Sequence, residues 1–185
     1  MISDPSMSRR RFLKLGLFSA GICIWPAPLA ASTWDLLVPD RALSFYNLHT
    51  EEDLETVYWR QGRYLPGGLE AIAYILRDYR TGEIHSMDTE LLDLLYAIRT
   101  TLETRQPFHL ISGYRSPSSN AFLRESGRGV ARNSLHVQGK AADIRIPGIE
   151  LSLVRDVATS LKRGGVGYYP SSNFVHVDVG RVRYW

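Results

Sequence analysis

The sequence predicts a small α+β domain in which a small antiparallel sheet is flanked by helices. Three features lead there: apolar residues at helical spacing early in the chain, period-two alternation late in it, and a length suited to a single core. Ala42–His49 and Glu55–Tyr64 read as strands, the second bent at Gly62. Leu69–Tyr79 sets Leu69, Ile72, Ala73, Ile75 and Leu76 at helical spacing and stops at Thr81-Gly82. Asp88 is the N-cap of a second helix that runs to Glu103, with Leu91, Leu92, Leu94, Leu95 and Ile98 as its apolar face. Phe108–Gly113 is a strand. Ser116-Pro117 opens a shorter helix to Glu125, because serine caps and proline suits the first turn. Gly127–Asn133 is a polar loop. Ala141–Ile146 is a strand, Leu151–Leu161 a helix, and Val166–Tyr169 with Phe174–Val179 a closing hairpin.

Residues 1–31 stand apart from this domain. Ser8–Lys14 reads SRRRFLK; an apolar run from Leu15 to Trp25 and the small residues Ala27, Ala30 and Ala31 come after it. A basic segment, a short apolar segment and small residues make a secretory signal. The run is shorter than the ~20 apolar residues of a membrane-spanning helix. Arg9 and Arg10, with Phe12, Leu13 and Lys14 behind them, resemble the twin-arginine export signal, a route that carries folded proteins. A basic anchoring helix fits less well, since the apolar run has no polar face. The expected organisation is a twin-arginine signal peptide over 1–31, with the twin-arginine export machinery as a partner, and a single domain over 32–185.

Removing the signal takes away Arg9, Arg10, Arg11 and Lys14 against Asp4 alone. Of the 22 basic and 19 acidic side chains, 18 of each remain. The basicity therefore belongs to the signal, and no nucleic-acid partner is expected. The single cysteine, Cys23, lies in the apolar run, so the domain has neither a disulfide nor a thiolate ligand. Ile22 in front of it disfavours lipidation.

The chemistry concentrates in Ser134–Asp143, SLHVQGKAAD, where His136 and Asp143 stand seven positions apart, and in the later FVHVDVG, which contains His176. Two imidazoles and a carboxylate are the protein ligands of an open catalytic zinc site. Zn2+ is the expected cofactor, with His136, Asp143 and His176 as its ligands. Strand parity supports the grouping. Asp143 shares a face with Arg145, opposite Ala142, Ile144 and Ile146; His176 shares a face with Asp178, opposite Val175, Val177 and Val179. Pairing of these strands would bring Asp143 and His176 together, with His136 reaching in from the preceding loop. The competing reading is a solvent face with an incidental histidine. His49 and His85 precede loops and have no spacing partner; His109 interrupts the apolar strand PFHLISG, either as a buried, hydrogen-bonded residue or as a base behind the ligands, and all three read as structural. Tyr168, Tyr169 and Phe174 either line a groove or pack the sheet, and Asn133 and Ser134 shape the loop.

The pattern S-x-H-x-x-G-x-A-x-D, with a strand histidine after it, resembles the M15 zinc peptidases, which include D-alanyl-D-alanine carboxypeptidases and dipeptidases of bacterial walls. Arg77–His85, Ile111–Arg124, Gly127–Gly148 and Gly164–Gly180 extend the likeness over nearly the whole domain. There the chain resembles the branch of periplasmic murein endopeptidases that carry twin-arginine signals. The resemblance implies the zinc peptidase fold shared by Hedgehog and D-Ala-D-Ala peptidases, with zinc on His136, Asp143 and His176. It also implies a periplasmic monomer that hydrolyses peptide cross-links of peptidoglycan, of the 3–3 diaminopimelate type, during wall growth or remodelling. Two rivals stay open: a zinc-containing wall-binding or signalling domain without catalysis, and a D,D-carboxypeptidase of the same family.

By the same resemblance, Arg115 in SGYRS stabilises a developing oxyanion or clamps a substrate carboxylate, tasks that suit a permanently charged fork of donors. A surface ion pair is its plainer alternative. The general base is less legible. Some relatives have a glutamate three positions before the last ligand histidine, where this chain has Asn173. Others use an H-x-H pair, whose first position here is Phe174. Asp178 remains, either as that base or as a partner that holds a ligand imidazole in its tautomer.

Overall fold

The computed structural model describes residues 39–127 and 130–185. The signal expected over 1–31 lies outside the described residues. Among those described, the strands are β1 (Arg41–Asn47), β2 (Asp53–Arg60), β3 (Arg63–Tyr64), β4 (Phe108–Ser112), β5 (Ala141–Arg145), β6 (Gly165–Tyr169), β7 (Phe174–Asp178) and β8 (Arg183–Tyr184). The α-helices are α1 (Pro66–Ile75), α2 (Thr89–Thr101), α3 (Pro117–Glu125) and α4 (Leu151–Ser160).

Local chemistry accounts for most of these limits. β1 stops at Asn47 because its side-chain oxygen accepts the backbone N–H of His49 (2.9 Å) and of Thr50 (3.3 Å), turning the chain. The segment read as one bent strand is a hairpin, in which Arg60 pairs with Arg63 across the left-handed pair Gln61-Gly62. α1 begins at Pro66, earlier than expected, and ends before Tyr79 because Asp78 is needed elsewhere. The Asp78 carboxylate, buried, accepts from Ser116 N–H (2.8 Å), Ser116 Oγ (2.6 Å) and Arg80 N–H (3.0 Å), and so ties this stretch to the start of α3. α2 is capped as expected, with Asp88 accepting the Glu90 N–H at 2.9 Å.

The strands form a single sheet in the order β3-β2-β1-β4-β5-β7-β6-β8. The expected small antiparallel sheet is thus corrected: eight strands take part, and β1/β4 and β6/β8 are parallel pairs. β1 and β4 are separated in sequence by α1 and α2, a crossover long enough to bring the chain back in the same direction. β8 is two residues long, too short to leave a periodic trace. Ile72 and Ile75 of α1, Leu91, Leu95 and Ile98 of α2 and Val154 of α4 bury against Phe45, Phe108, Leu110, Ile144, Val175 and Val177 of the sheet. Each fully buried side chain of this size contributes about 1.5–3 kcal/mol. With the helices holding that face, alternation along β5 and β7 turns Asp143 and His176 to the other.

Candidate metal centre

Asp143 and His176 are direct cross-strand partners between β5 and β7, as parity predicts. His136 sits on a single 3-10 turn, Leu135–Gln138, that the sequence reads only as the end of a loop. Gly139 closes the turn at φ 66°, and its carbonyl accepts the Asp88 N–H at 2.9 Å, pinning the turn to the base of α2.

Three donor atoms converge from these elements. His176 Nδ1 lies 2.9 Å from Asp143 Oδ1, and His136 Nε2 lies 3.2 Å from both His176 Nδ1 and Asp143 Oδ1. A tetrahedron with ligands about 2.0–2.1 Å from zinc has edges of about 3.3 Å, so the three atoms already approximate one face of it. Each imidazole is braced at its other nitrogen. His136 Nδ1 donates to the Gly113 carbonyl (2.7 Å), and His176 Nε2 donates to Asp178 Oδ2 (2.9 Å). That leaves His136 Nε2 and His176 Nδ1 as the free lone pairs, the second contact being the carboxylate–histidine arrangement found behind metal ligands. His136, Asp143 and His176 fit a divalent metal.

The electrostatics agree. Burial pushes the Asp143 carboxyl up, but the two neighbouring imidazoles outweigh it and hold the group well below the usual carboxylate range. Burial pushes His176 down, yet its hydrogen bonds to Asp143 and Asp178 carry it to about 9. The positive charge that two carboxylates draw onto this imidazole is the charge a divalent cation would replace.

Arg115 comes after β4 on the next loop and is nearly buried, with Nη2 3.3 Å from Ser112 Oγ and 3.6 Å from Asp143 Oδ2. Its Nε is buried without a partner, and burial lowers its pKa from the ordinary value. It is an inward cation with donors to spare, not a surface ion pair. Asp178 lies beneath His176 with no exposed surface and does not line the cleft. His49 stacks on Tyr79 (3.7 Å between centroids), His85 on Tyr114 (4.6 Å), and His109 faces Tyr46 (5.2 Å). None of these three lines the cleft beside the donor triad.

The donor triad opens into a cleft of about 370 Å³ bordered by Arg115, Ser134, Tyr169, Phe174, Arg183 and Trp185. Tyr169 and Phe174 stack at 4.6 Å, and Trp185 Nε1 donates to Tyr169 Oη at 2.7 Å, making one aromatic wall. Tyr168 points to the opposite face, where the Arg155 guanidinium covers it. Arg183 and Trp185 have no part in the expectations drawn from sequence. The only trace of them was the basic and aromatic run RVRYW after the last motif.

Two imidazoles and a carboxylate at the floor of an open cleft, each imidazole braced from behind, form the donor arrangement of metal-dependent hydrolases. The chain belongs to the M15_2 peptidase family, whose model, described as Peptidoglycan L,D-endopeptidase MepK, matches residues 37–185. The Peptidoglycan L,D-endopeptidase MepK of Escherichia coli strain K12 is 44% identical over 179 residues, covering 96% of this chain and 97% of the relative. The protein of that name from Shigella flexneri aligns with the same values, 44% over 179 residues. A Haemophilus influenzae relative is 43% identical over 179 residues, covering 96% of this chain and 95% of its own.

Proposed function

We propose that this chain is a zinc-dependent murein endopeptidase that hydrolyses peptide cross-links of peptidoglycan, of the 3–3 diaminopimelate type. The observation that carries the reading is the convergence of His136 Nε2, Asp143 Oδ1 and His176 Nδ1 within 3.2 Å, in a member of the M15_2 peptidase family. Residues 1–31 serve as a twin-arginine export signal that delivers the domain of residues 32–185 to the periplasm, beside its substrate. The domain works there as a monomer.

His136, Asp143 and His176 would hold the ion, and zinc there would supply Lewis acidity toward the scissile carbonyl and the activation of water near neutral pH. The chain's own residues supply the rest. Arg115 lines the cleft with its guanidinium, Nη2 lying 3.6 Å from Asp143 Oδ2, so it holds the carbonyl oxygen as charge develops or grips a substrate carboxylate next to the cut bond. Asp178 faces His176 rather than the cleft, which favours orientation of that imidazole over proton transfer from water. Tyr169, Phe174 and Trp185 wall the cleft and exclude water from one side of a bound peptide.

The test is digestion of purified sacculi with and without a chelator, with products identified by mass. Chelator-sensitive release of muropeptides cut at 3–3 links is the expected result. Release of terminal D-alanine alone would move the assignment to a carboxypeptidase. Sacculus binding with no product under any metal condition would refute the enzyme.

A further inference from the structure

Asp178 has no exposed surface, yet it receives five hydrogen bonds. Oδ1 accepts from Gly165 N–H (3.0 Å), Gly180 N–H (2.8 Å) and Arg183 Nη1 (3.1 Å). Oδ2 accepts from Arg183 Nη2 (2.6 Å) and His176 Nε2 (2.9 Å). All but the imidazole are groups that can only donate. With its other four contacts all made by donors, one of them a guanidinium in two-point contact, this carboxyl group can only accept from the imidazole. A neutral His176 must therefore keep its proton on Nε2, and its Nδ1 lone pair is left for the cleft.

The surroundings are built to this ion pair. A Cβ at Gly165 would lie 2.5 Å from Asp178 Oδ2 and 2.6 Å from Arg183 Nη1, and one at Gly180 would lie 3.1 Å from Asp178 Oδ1. Arg183 is delivered by β8, which runs parallel to β6 and is secured by Trp185 N–H to the Val166 carbonyl (3.2 Å) and Tyr168 N–H to the Trp185 carbonyl (2.9 Å). The guanidinium faces the Trp185 ring at 4.9 Å on its way to Asp178.

We infer that Arg183 is a positioning residue of the metal centre: acting through Asp178, it holds His176 in the tautomer whose free nitrogen faces His136 and Asp143. The inference rests on the metal reading above. Without the guanidinium, the Asp178 carboxylate loses its two-point anchor and is free to turn about its side-chain torsions, so Oδ2 no longer holds a fixed position opposite His176 Nε2. The His176 ring then loses the contact that sets both its orientation and the nitrogen that carries its proton.

The test compares zinc affinity of the full-length wild-type, R183M, R183K, D178N and R183M/D178N proteins by competition with a chromophoric chelator, with circular dichroism to verify folding. R183M is expected to weaken zinc binding about 10–100-fold, as loss of partners behind metal ligands does. R183K restores part of the affinity through its charge. The double variant binds no more weakly than D178N alone, since the two residues act in series. If R183M does not fold, R183Q takes its place as the uncharged comparison. Zinc affinity of the uncharged variant within about twofold of wild type, or losses that add in the double variant, would overturn the inference and leave the metal reading intact. Wild-type protein that binds no zinc would overturn both.

Discussion

A single methyl group at Gly139 separates what the turn beneath His136 needs from what any left-handed glycine needs. Gly139 has φ 66°, and an added Cβ would lie 2.3 Å from the Ser86 carbonyl oxygen. Gly148 has φ 74° with nothing within 4 Å of the same position. Both alanine variants incur the left-handed penalty of about 1–2 kcal/mol. Both also regain about 0.4–1 kcal/mol because alanine restricts the unfolded chain. Only G139A adds an overpacking cost, about 1–3 kcal/mol, since the obstacle is backbone rather than a flexible side chain. G148A should therefore lose about 1 kcal/mol and G139A about 3 kcal/mol. For a domain of this size the difference corresponds to a melting midpoint about 4–8 °C lower for G139A. The assay is thermal unfolding of both variants by circular dichroism in the presence of a chelator, so that metal linkage adds nothing. Midpoints that agree within about 2 °C would refute the packing of the His136 turn against Ser86.

The site and the sheet carry three further expected outcomes. H136A should lose bound zinc, measured by elemental analysis, and peptidoglycan cleavage together; full activity in that variant would rule out the metal mechanism. R115A should keep its zinc but lose about 10²–10³-fold in kcat on muropeptides, the usual effect of removing one charge-stabilising donor; an unchanged rate would take Arg115 out of the chemistry. Asp93 tests the sheet edge. Burial pushes its carboxyl up, but hydrogen bonds from Arg41, Tyr58 and Tyr64 outweigh that and hold it below the ordinary value. Such a group stabilises the fold fully above the unfolded value of about 3.9, and the contribution fades as pH falls through the lower folded value. Denaturant unfolding of wild type should thus weaken more steeply than D93N below about pH 4, and parallel curves would contradict the network.

Periodicity and local spacing make part of the fold, and the grouping of the candidate donors, legible in the sequence. Alternation along β5 and β7 suffices to put Asp143 and His176 on one face, and the structure pairs them directly. The apolar stripe of α2 and its Asp88 cap are likewise local signals. The misses are long-range. The parallel pairing of β1 with β4 depends on how α1 and α2 pack between them, which no period records. α1 stops early because Asp78 is claimed by Ser116, 38 positions away. Arg183 and Trp185 reach the cleft only because β8 lies beside β6, and two residues carry no alternation to read.

The division between local donors and distant braces explains why the sequence alone leaves the role of Asp178 ambiguous. Its position two residues after His176 on the same face fits both a base and an orienting partner equally. The two roles are distinguished by the side of the imidazole it occupies and by how many donors already claim it. Asp178 meets Nε2 while Nδ1 faces the triad, and Gly165, Gly180 and Arg183 take the remaining acceptor capacity. A carboxylate in that state has little affinity for another proton, as its strongly lowered pKa reflects: burial opposes the ionised form, but His176, Arg183 and the two glycine N–H groups outweigh it. Such a group is suited to fixing a tautomer and poorly suited to accepting a proton during turnover. Gly165 and Gly180 therefore belong to the candidate centre as much as His176 does, because without their close approach the enclosed carboxylate would lack two of its donors.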